Sequence, residues 1–149
     1  MGDKPASHDT EQLQKSRELL RMVARKLERQ PMFLLVEDVR DDALMICREL
    51  DEFFQTCHVL TAKTGTEALA VLRNFKCDAI FLDLRLDGLM DGPMLLKHLR
   101  ELYSSIPVII VTGLPSDSRV VDEALSMGAV YFVAKPVSQS DLNTIFNKP

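Results

Sequence analysis

The sequence contains no long apolar segment, no signal-peptide pattern, no internal repeat and no low-complexity tract. Because a membrane-spanning helix needs about 20 consecutive apolar residues, we expect a soluble, cytoplasmic protein without a membrane partner. The three cysteines are odd in number and widely spaced, so they predict neither a disulfide framework nor a metal site and favour a reduced setting. The three histidines show no ligand spacing either.

Charge of one sign does not dominate the chain. The net charge of −4 gives no reason to expect a nucleic-acid partner or an anionic membrane. The distribution is uneven, since residues 11–30 carry six Lys or Arg and three Asp or Glu, whereas residues 31–149 carry eleven and seventeen. Hydrophobic residues make up 46% and charged residues 27%, which together with the length predicts one ordinary globular domain.

Residues 1–30 are predicted to form a helical extension of a folded domain that spans residues 31–149. Asp9 or Thr10 can cap a helix that runs to about Arg29 and ends before the following proline. We expect this helix to be an appendage outside the domain core.

A stripe of leucines, Leu13, Leu20 and Leu27, recurs every seven residues along this helix. Polar side chains, Ser16 and Gln30, occupy two of the three intervening heptad positions, so an isolated coiled coil would be marginal. We expect the stripe to associate with the surface of its own domain or with a second copy of the chain, and we favour a homodimer. A linker that is helical only when joined to an upstream domain is an open alternative.

From residue 31 onwards, short apolar runs alternate with amphipathic stretches. Apolar runs bounded by polar residues predict buried strands. We expect them at Met32–Val36, around Val59 and Leu60, at Ala79–Leu82, at Pro107–Val111 and at Val130–Val133. A helix follows each strand, with starts predicted at Asp41 and Asp42, Gly65 and Thr66, Pro93, Ser116, and Ser140. Five such units with short loops predict a doubly wound five-stranded parallel sheet.

Polar residues stand where the predicted strands end. Glu37 and Asp38 follow the first strand, Asp83 the third, Thr112 the fourth and Lys135 the fifth. The carboxyl ends of parallel strands share one edge of the sheet, so we expect these side chains to converge. Clustered carboxylates need a cation or a proton, and oxygen ligands with room for water favour magnesium. A carboxylate nucleophile beside Mg²⁺, a lysine and a threonine can accept a phosphoryl group.

These residues stand in fragments that resemble the response-regulator receiver domain of two-component signalling. The fragments are LLVED, FLDLRL before MDG, VIIVTG and GAVYFVAKP, within residues 32–147. Each fragment meets the strand context that the motif requires. The resemblance implies a flavodoxin-like sheet with strand order 2-1-3-4-5 and, here, an extra N-terminal helix.

The resemblance also implies a role for each acidic residue. Glu37 and Asp38 match the acidic pair that holds magnesium in that family. Asp83 matches the aspartate that shares the metal and receives phosphate from a phosphohistidine. The backbone carbonyl of Arg85 matches the usual further metal ligand.

The remaining matches concern phosphate sensing. Thr112 and Lys135 match the residues that contact the phosphoryl oxygens, and Phe132 matches the mobile aromatic residue of the switch. The resemblance further implies a cis bond between Lys135 and Pro136.

We therefore predict a phosphorelay receiver that takes phosphate from a histidine kinase or a histidine phosphotransfer protein and switches an output partner. We expect no enzymatic activity beyond its own phosphorylation and dephosphorylation. The alternative is a pseudo-receiver, which has the fold and binds partners without phosphotransfer. A small hydrolase or phosphatase ranks third, because no additional acid–base group is evident.

Three departures from the family pattern affect the loops and the signalling face. Asp87 replaces the usual proline four residues after Asp83, and the loop to Gly92 is one residue longer than usual. Gly113 replaces the commoner Ala or Ser, which predicts a looser loop. The last helix is short, which leaves part of the usual signalling face incomplete.

Overall fold

The computed structural model of the chain describes residues 7–25, 30–86, 88–115 and 118–146. Within them, five parallel strands form one sheet in the order β2-β1-β3-β4-β5. The strands are β1 (Met32–Val36), β2 (His58–Ala62), β3 (Ala79–Leu82), β4 (Val108–Thr112) and β5 (Tyr131–Ala134). The helices are α1 (Ser7–Arg25), α2 (Arg40–Phe54), α3 (Gly65–Asn74), α4 (Gly92–Leu102), α5 (Arg119–Ser126) and α6 (Gln139–Phe146). The strand order and the additional N-terminal helix confirm the predicted flavodoxin-like fold.

Helices cover both faces of the sheet. Phe33 and Leu35 of β1 belong to the apolar cluster under α1, α2 and α6, whereas Leu34 and Val36 belong to the cluster under α3, α4 and α5. Every residue of β3 and β4 is buried as well. A sheet covered on both faces needs strands that are apolar throughout, which is why short apolar runs predict them. The burial of the strands holds the residues at their carboxyl ends in fixed positions.

Side-chain caps begin α3, α4 and α5. Thr64 Oγ1, Asp91 Oδ1 and Ser118 Oγ accept hydrogen bonds from backbone N–H groups two or three residues further on. Each bond satisfies an N–H that has no partner within its helix. Ser116, which is predicted to cap α5, lies outside the described residues, and the cap in the structure is Ser118.

Helix α1 is part of the core, and the expectation of an appendage is wrong. Leu20 is fully buried and Val23 nearly so, in the same apolar cluster as Phe33 and Phe146. The helix packs against α6. Burying one leucine contributes roughly 1.5–3 kcal/mol, which favours docking over a solvated helix. The seven-residue spacing shows that a stripe exists, but it does not show which surface the stripe covers.

Polar contacts also attach α1 to the domain. Gln12 Nε2 donates to the carbonyl of Ser104 at 3.2 Å. The Arg17 guanidinium lies over the Tyr131 ring, 5.4 Å from its centroid. The structure thus has the first of the two predicted associations, docking on the domain's own surface. The homodimer stays a prediction. Leu27, the last leucine of the stripe, lies outside the described residues.

The C-terminal part of the chain agrees with the predictions. The described part of α6 has eight residues and begins one residue before the predicted start. The Lys135–Pro136 peptide bond is cis, as the resemblance implies.

Asp87, the predicted departure in the loop after β3, lies outside the described residues. Among the described helices, none is long and apolar enough to cross a membrane.

Candidate functional site

Acidic residues follow β1 and β3 directly, where the sheet fixes their backbones. Glu37 N donates to Ala62 O at 2.9 Å and Asp83 N donates to Val36 O at 3.0 Å, so both residues continue the pairing of the strands before them. Glu37, Asp38 and Asp83 each offer a carboxylate oxygen, and these oxygens lie within 4.8 Å of one another. The structure thus brings together the three acids that the sequence predicts.

Lys135 reaches this cluster from the end of β5. Its backbone N–H donates to Thr112 O at 3.0 Å, which attaches it to the neighbouring strand. Its Nζ donates to Asp83 Oδ2 and to Asp42 Oδ2, both at 2.9 Å, and lies 2.5 Å from Glu37 Oε1. One ammonium therefore faces three carboxylates in the described part of the chain.

Asp42 is not among the residues predicted for the site. The sequence marks it only as an acid in the first turn of a helix, where it also lies in the structure. Its contact with Lys135 depends on how α2 is rotated about its axis relative to β5, and the sequence offers no signal for that.

The site lies deep in the protein. Glu37 is 3% exposed, Asp83 4% and Thr112 is fully buried. Charged groups this deep are costly unless they are paired or hold a metal, and the contacts with Lys135 supply the pairing.

Burial and the neighbouring charges shift the pKa values of two groups in the site. Burial raises the pKa of Glu37 to about 7, although the Lys135 ammonium and the Val39 N–H oppose this rise, and the charge of Asp83 adds to it. Burial alone would lower the pKa of Lys135, but its bonds with Glu37, Asp42 and Asp83 outweigh burial and raise this pKa above its ordinary value. The cluster therefore favours the arrival of a cation.

Backbone N–H groups bind the carboxylate oxygens of Glu37 and Asp83 that do not face Lys135. Arg85 N donates to Asp83 Oδ1 at 3.0 Å, and Val39 N donates to Glu37 Oε2 at 3.1 Å. Each of these carboxylates thus has one oxygen on a backbone N–H and the other near the Lys135 ammonium. The role predicted for the carbonyl of Arg85 stays a prediction.

An open cavity of about 630 Å³ lies over the cluster. Asp38, Asp83 and Lys135 line it together with Asp91 and Gly113. A Cβ built on Gly113 would meet no atom within 4 Å, so the space beside the site is free on that side. Three carboxylate oxygens at the edge of a wet cavity are the ligands that a hard divalent cation prefers, so these residues fit Mg²⁺.

The two predicted switch residues lie on adjacent strands, Thr112 at the end of β4 and Phe132 in β5. Thr112 Oγ1 accepts a hydrogen bond from Leu114 N at 3.4 Å. Phe132 stands opposite Ile110 in the β4–β5 register and packs, half buried, against the cluster under α3, α4 and α5. The roles predicted for Thr112 and Phe132 stay predictions.

Comparison with known protein families matches residues 33–147 to the response regulator receiver domain. The transcriptional regulatory protein AfsQ1 of Streptomyces coelicolor is 37% identical over 107 residues, which are 72% of this chain and 45% of that protein. GlrR, a transcriptional regulatory protein of Escherichia coli, is 36% identical over 109 residues, which are 73% of this chain and 24% of that protein. The chain thus spans less than half the length of these relatives.

Solved structures show the same similarity. The receiver domain of NtrX from Brucella abortus superposes with a TM-score of 0.70 at 25% identity, covering 78% of this chain and 95% of that one. A CheY-like receiver domain protein from Methanospirillum hungatei gives a TM-score of 0.69 at 26% identity, covering 80% and 93%. The acidic cluster is typical of the magnesium site of such domains. The chain therefore belongs to the response regulator receiver domains of two-component signalling.

Proposed function

We propose that this receiver accepts a phosphoryl group on the Asp83 carboxylate, with Mg²⁺, from the phosphohistidine of a histidine kinase or a histidine phosphotransfer protein. The observation that carries the proposal is the setting of Asp83. Its carboxylate stands at the end of a buried strand, between the Lys135 ammonium and the Arg85 N–H, and beside an open cavity. The proposed exchange with a phosphohistidine requires the cytoplasmic location that the sequence predicts.

The transfer breaks one bond and forms another. An Asp83 oxygen attacks phosphorus, the bond from phosphorus to the histidine nitrogen breaks, and its electron pair returns to the imidazole. Glu37, Asp38 and Asp83 would hold Mg²⁺ with the carbonyl of Arg85, and the metal supplies charge neutralisation on the phosphoryl oxygens. Lys135 then contacts a phosphoryl oxygen through its ammonium.

The phosphoryl group would operate a switch through Thr112 and Phe132. Phosphorylation adds roughly 1.5–2 negative charges at one point, which attracts the Thr112 hydroxyl. Within the described residues, the hydroxyl oxygen accepts one long hydrogen bond, from Leu114 N at 3.4 Å, which such a movement would give up. Its movement opens space into which Phe132 can turn. The surface that changes for an output partner is then formed by α5, β5 and α6.

A homodimer through α1 is also part of the proposal. Leu20 of the stripe is buried in the domain, so pairing would use the outer side of the helix, where Leu19 is 39% exposed and Met22 57% exposed. Light scattering on the intact chain and on a variant with Leu19→Ser and Met22→Ser tests this. A dimer that the substitutions dissociate supports pairing, and a monomer in both samples contradicts it.

Mass spectrometry after incubation with acetyl phosphate and Mg²⁺ tests the reaction. We expect a gain of one phosphoryl group that EDTA prevents and that Asp83→Asn abolishes. Asp91→Asn is a matched control, because Asp91 lines the same cavity, lies outside the carboxylate cluster and caps α4 in a way that Asn can maintain. This control should be labelled like the parent, and Lys135→Ala should weaken signalling more than phosphate uptake.

Two results would contradict the proposal in different ways. Full labelling of the Asp83→Asn variant at an acid-stable residue would show that the assigned acceptor is wrong. A parent chain that gains no phosphoryl group would instead favour the pseudo-receiver.

A further inference from the structure

We propose that Asp42 is a positioning residue that competes with the phosphoryl group for the ammonium of Lys135. This inference rests on the proposed phosphorylation of Asp83. It concerns how easily the Lys135 ammonium exchanges a carboxylate partner for a phosphoryl oxygen. It also adds to the site a residue that lies on α2 rather than at the end of a strand.

The ammonium of Lys135 is held by carboxylates in the metal-free site: its Nζ donates to Asp42 and Asp83 and forms an ion pair with Glu37. A lysine carries three N–H donors, and here three carboxylates face its Nζ, those of Glu37, Asp42 and Asp83. A phosphoryl oxygen that is to contact Lys135 therefore reaches an ammonium that carboxylates already attract.

The three acceptors differ in what else binds them. Glu37 and Asp83 belong to the carboxylate cluster with Asp38, so a bound cation would take up their charge. Asp42 lies outside that cluster, so a bound cation would not take up its charge and it would still attract Lys135. Its side chain is also the most exposed of the three, at 37% against 1% for Glu37 and 5% for Asp83. Asp42 is thus the acceptor with which an arriving phosphoryl group has to compete.

The packing of α2 holds Asp42 in place. Ile46, Leu50 and Phe53 on the same helix are buried in the core, so the first turn of α2 cannot swing away from β5. The competing carboxylate therefore stays within reach of Lys135. Its negative charge also repels the phosphoryl oxygens directly, so both effects act in the same direction.

Binding of beryllofluoride with Mg²⁺, followed by amide NMR shifts on the full chain, measures this competition without requiring a phosphate donor. We expect Asp42→Asn to bind beryllofluoride about three- to tenfold more tightly than the parent, the effect of removing one unit charge roughly 5 Å from the anion in a wet site. Asp42→Glu keeps the charge and should bind like the parent.

Asp41→Asn is the matched control. Asp41 lies in the same first turn of α2, is exposed and carries the same charge, so its removal changes the helix terminus and the net charge equally. We expect its affinity for beryllofluoride to stay within about twofold of the parent, because an exposed charge is screened by solvent.

The outcomes separate this inference from the function on which it rests. Asp42→Asn binding no more tightly than the parent, Asp41→Asn matching Asp42→Asn, or Asp42→Glu behaving like Asp42→Asn would each overturn the inference alone. A parent chain that neither binds beryllofluoride nor gains a phosphoryl group would overturn the proposed function and the inference together.

Discussion

Gly92, the first residue of α4, lies directly against the backbone of Leu84. A Cβ built on Gly92 would be 2.4 Å from Leu84 Cα and 2.5 Å from Leu84 O. No side chain fits at this distance unless the backbone moves. The contact thus attaches the start of α4 to the segment that immediately follows Asp83, and it holds the loop beside the candidate site.

Replacing Gly92 with alanine should therefore destabilise the protein. We expect Gly92→Ala to lower the free energy of unfolding by about 1–3 kcal/mol, the cost of forcing atoms into a filled space. Denaturant unfolding measures this. Gly113→Ala is the matched control, because a Cβ there meets no neighbour, and we expect it to be neutral or stabilising by at most about 1 kcal/mol. Equal stabilities of the two variants would contradict the close contact.

The docking of α1 can be tested by truncating one buried and one exposed side chain of the same helix. Leu20→Ala removes a fully buried side chain and should cost about 2–5 kcal/mol of unfolding free energy. Gln14→Ala removes an exposed side chain of the same helix that no proposed interface uses, and it should change this free energy by no more than about 0.5 kcal/mol. If both variants unfold at the same denaturant concentration as the parent, α1 does not pack on the domain in solution.

Glu37 should make the metal-free protein less stable as the pH rises. Its pKa is about 7 in the folded protein against an ordinary 4.5, so the folded state binds the proton more tightly. The resulting stability is fully present below pH 4.5 and is lost as the pH rises through 7. Glu37→Gln removes this loss. The stability advantage of the variant, which is its free energy of unfolding minus that of the parent, should therefore grow by about 1–3 kcal/mol between pH 5 and pH 8.

Urea unfolding in EDTA at both pH values measures that advantage. Glu52→Gln, at an exposed position of α2, serves as the control and should show no such growth. An advantage of Glu37→Gln that is the same at pH 5 and pH 8 would show that burial does not raise the pKa of Glu37.

The proposed switch predicts where beryllofluoride changes the structure. Amide shifts should extend from the surroundings of Asp83 to Phe132 in β5 and into α5 and α6, because movement of Thr112 makes room for the aromatic ring. The Asp83→Asn variant should show no such shifts. Changes confined to the neighbourhood of Asp83 would rule out this route of signalling.

Strand limits could be predicted where the apolar run of a strand has no polar interruption. The limits of β1 and β3 agree with the prediction to the residue, and those of β4 and β5 differ from it by one. Strand β2 runs from His58 to Ala62, although only its centre could be predicted, because it lies at the sheet edge and its exposed His58 and Thr61 interrupt the apolar run. Apolar patterning therefore indicates the limits of a strand whose run has no polar interruption, including the other edge strand, β5.

The candidate site could be predicted to the extent that strand ends define it. Glu37, Asp38, Asp83 and Lys135 come together because parallel strands end at one edge of the sheet. The contact of Asp42 with Lys135 could not be predicted in the same way. It depends on the rotation and position of a whole helix, which tertiary packing determines.

The family match begins at Phe33, whereas the apolar cluster that contains Phe33 and Phe146 also includes Leu20 and Val23 of α1. A recombinant fragment trimmed to the match would open that cluster to water. We expect such a fragment to aggregate through the uncovered patch, and its oligomers would be artefacts of trimming rather than a property of the native chain. Expression for biophysical work should therefore retain the first helix.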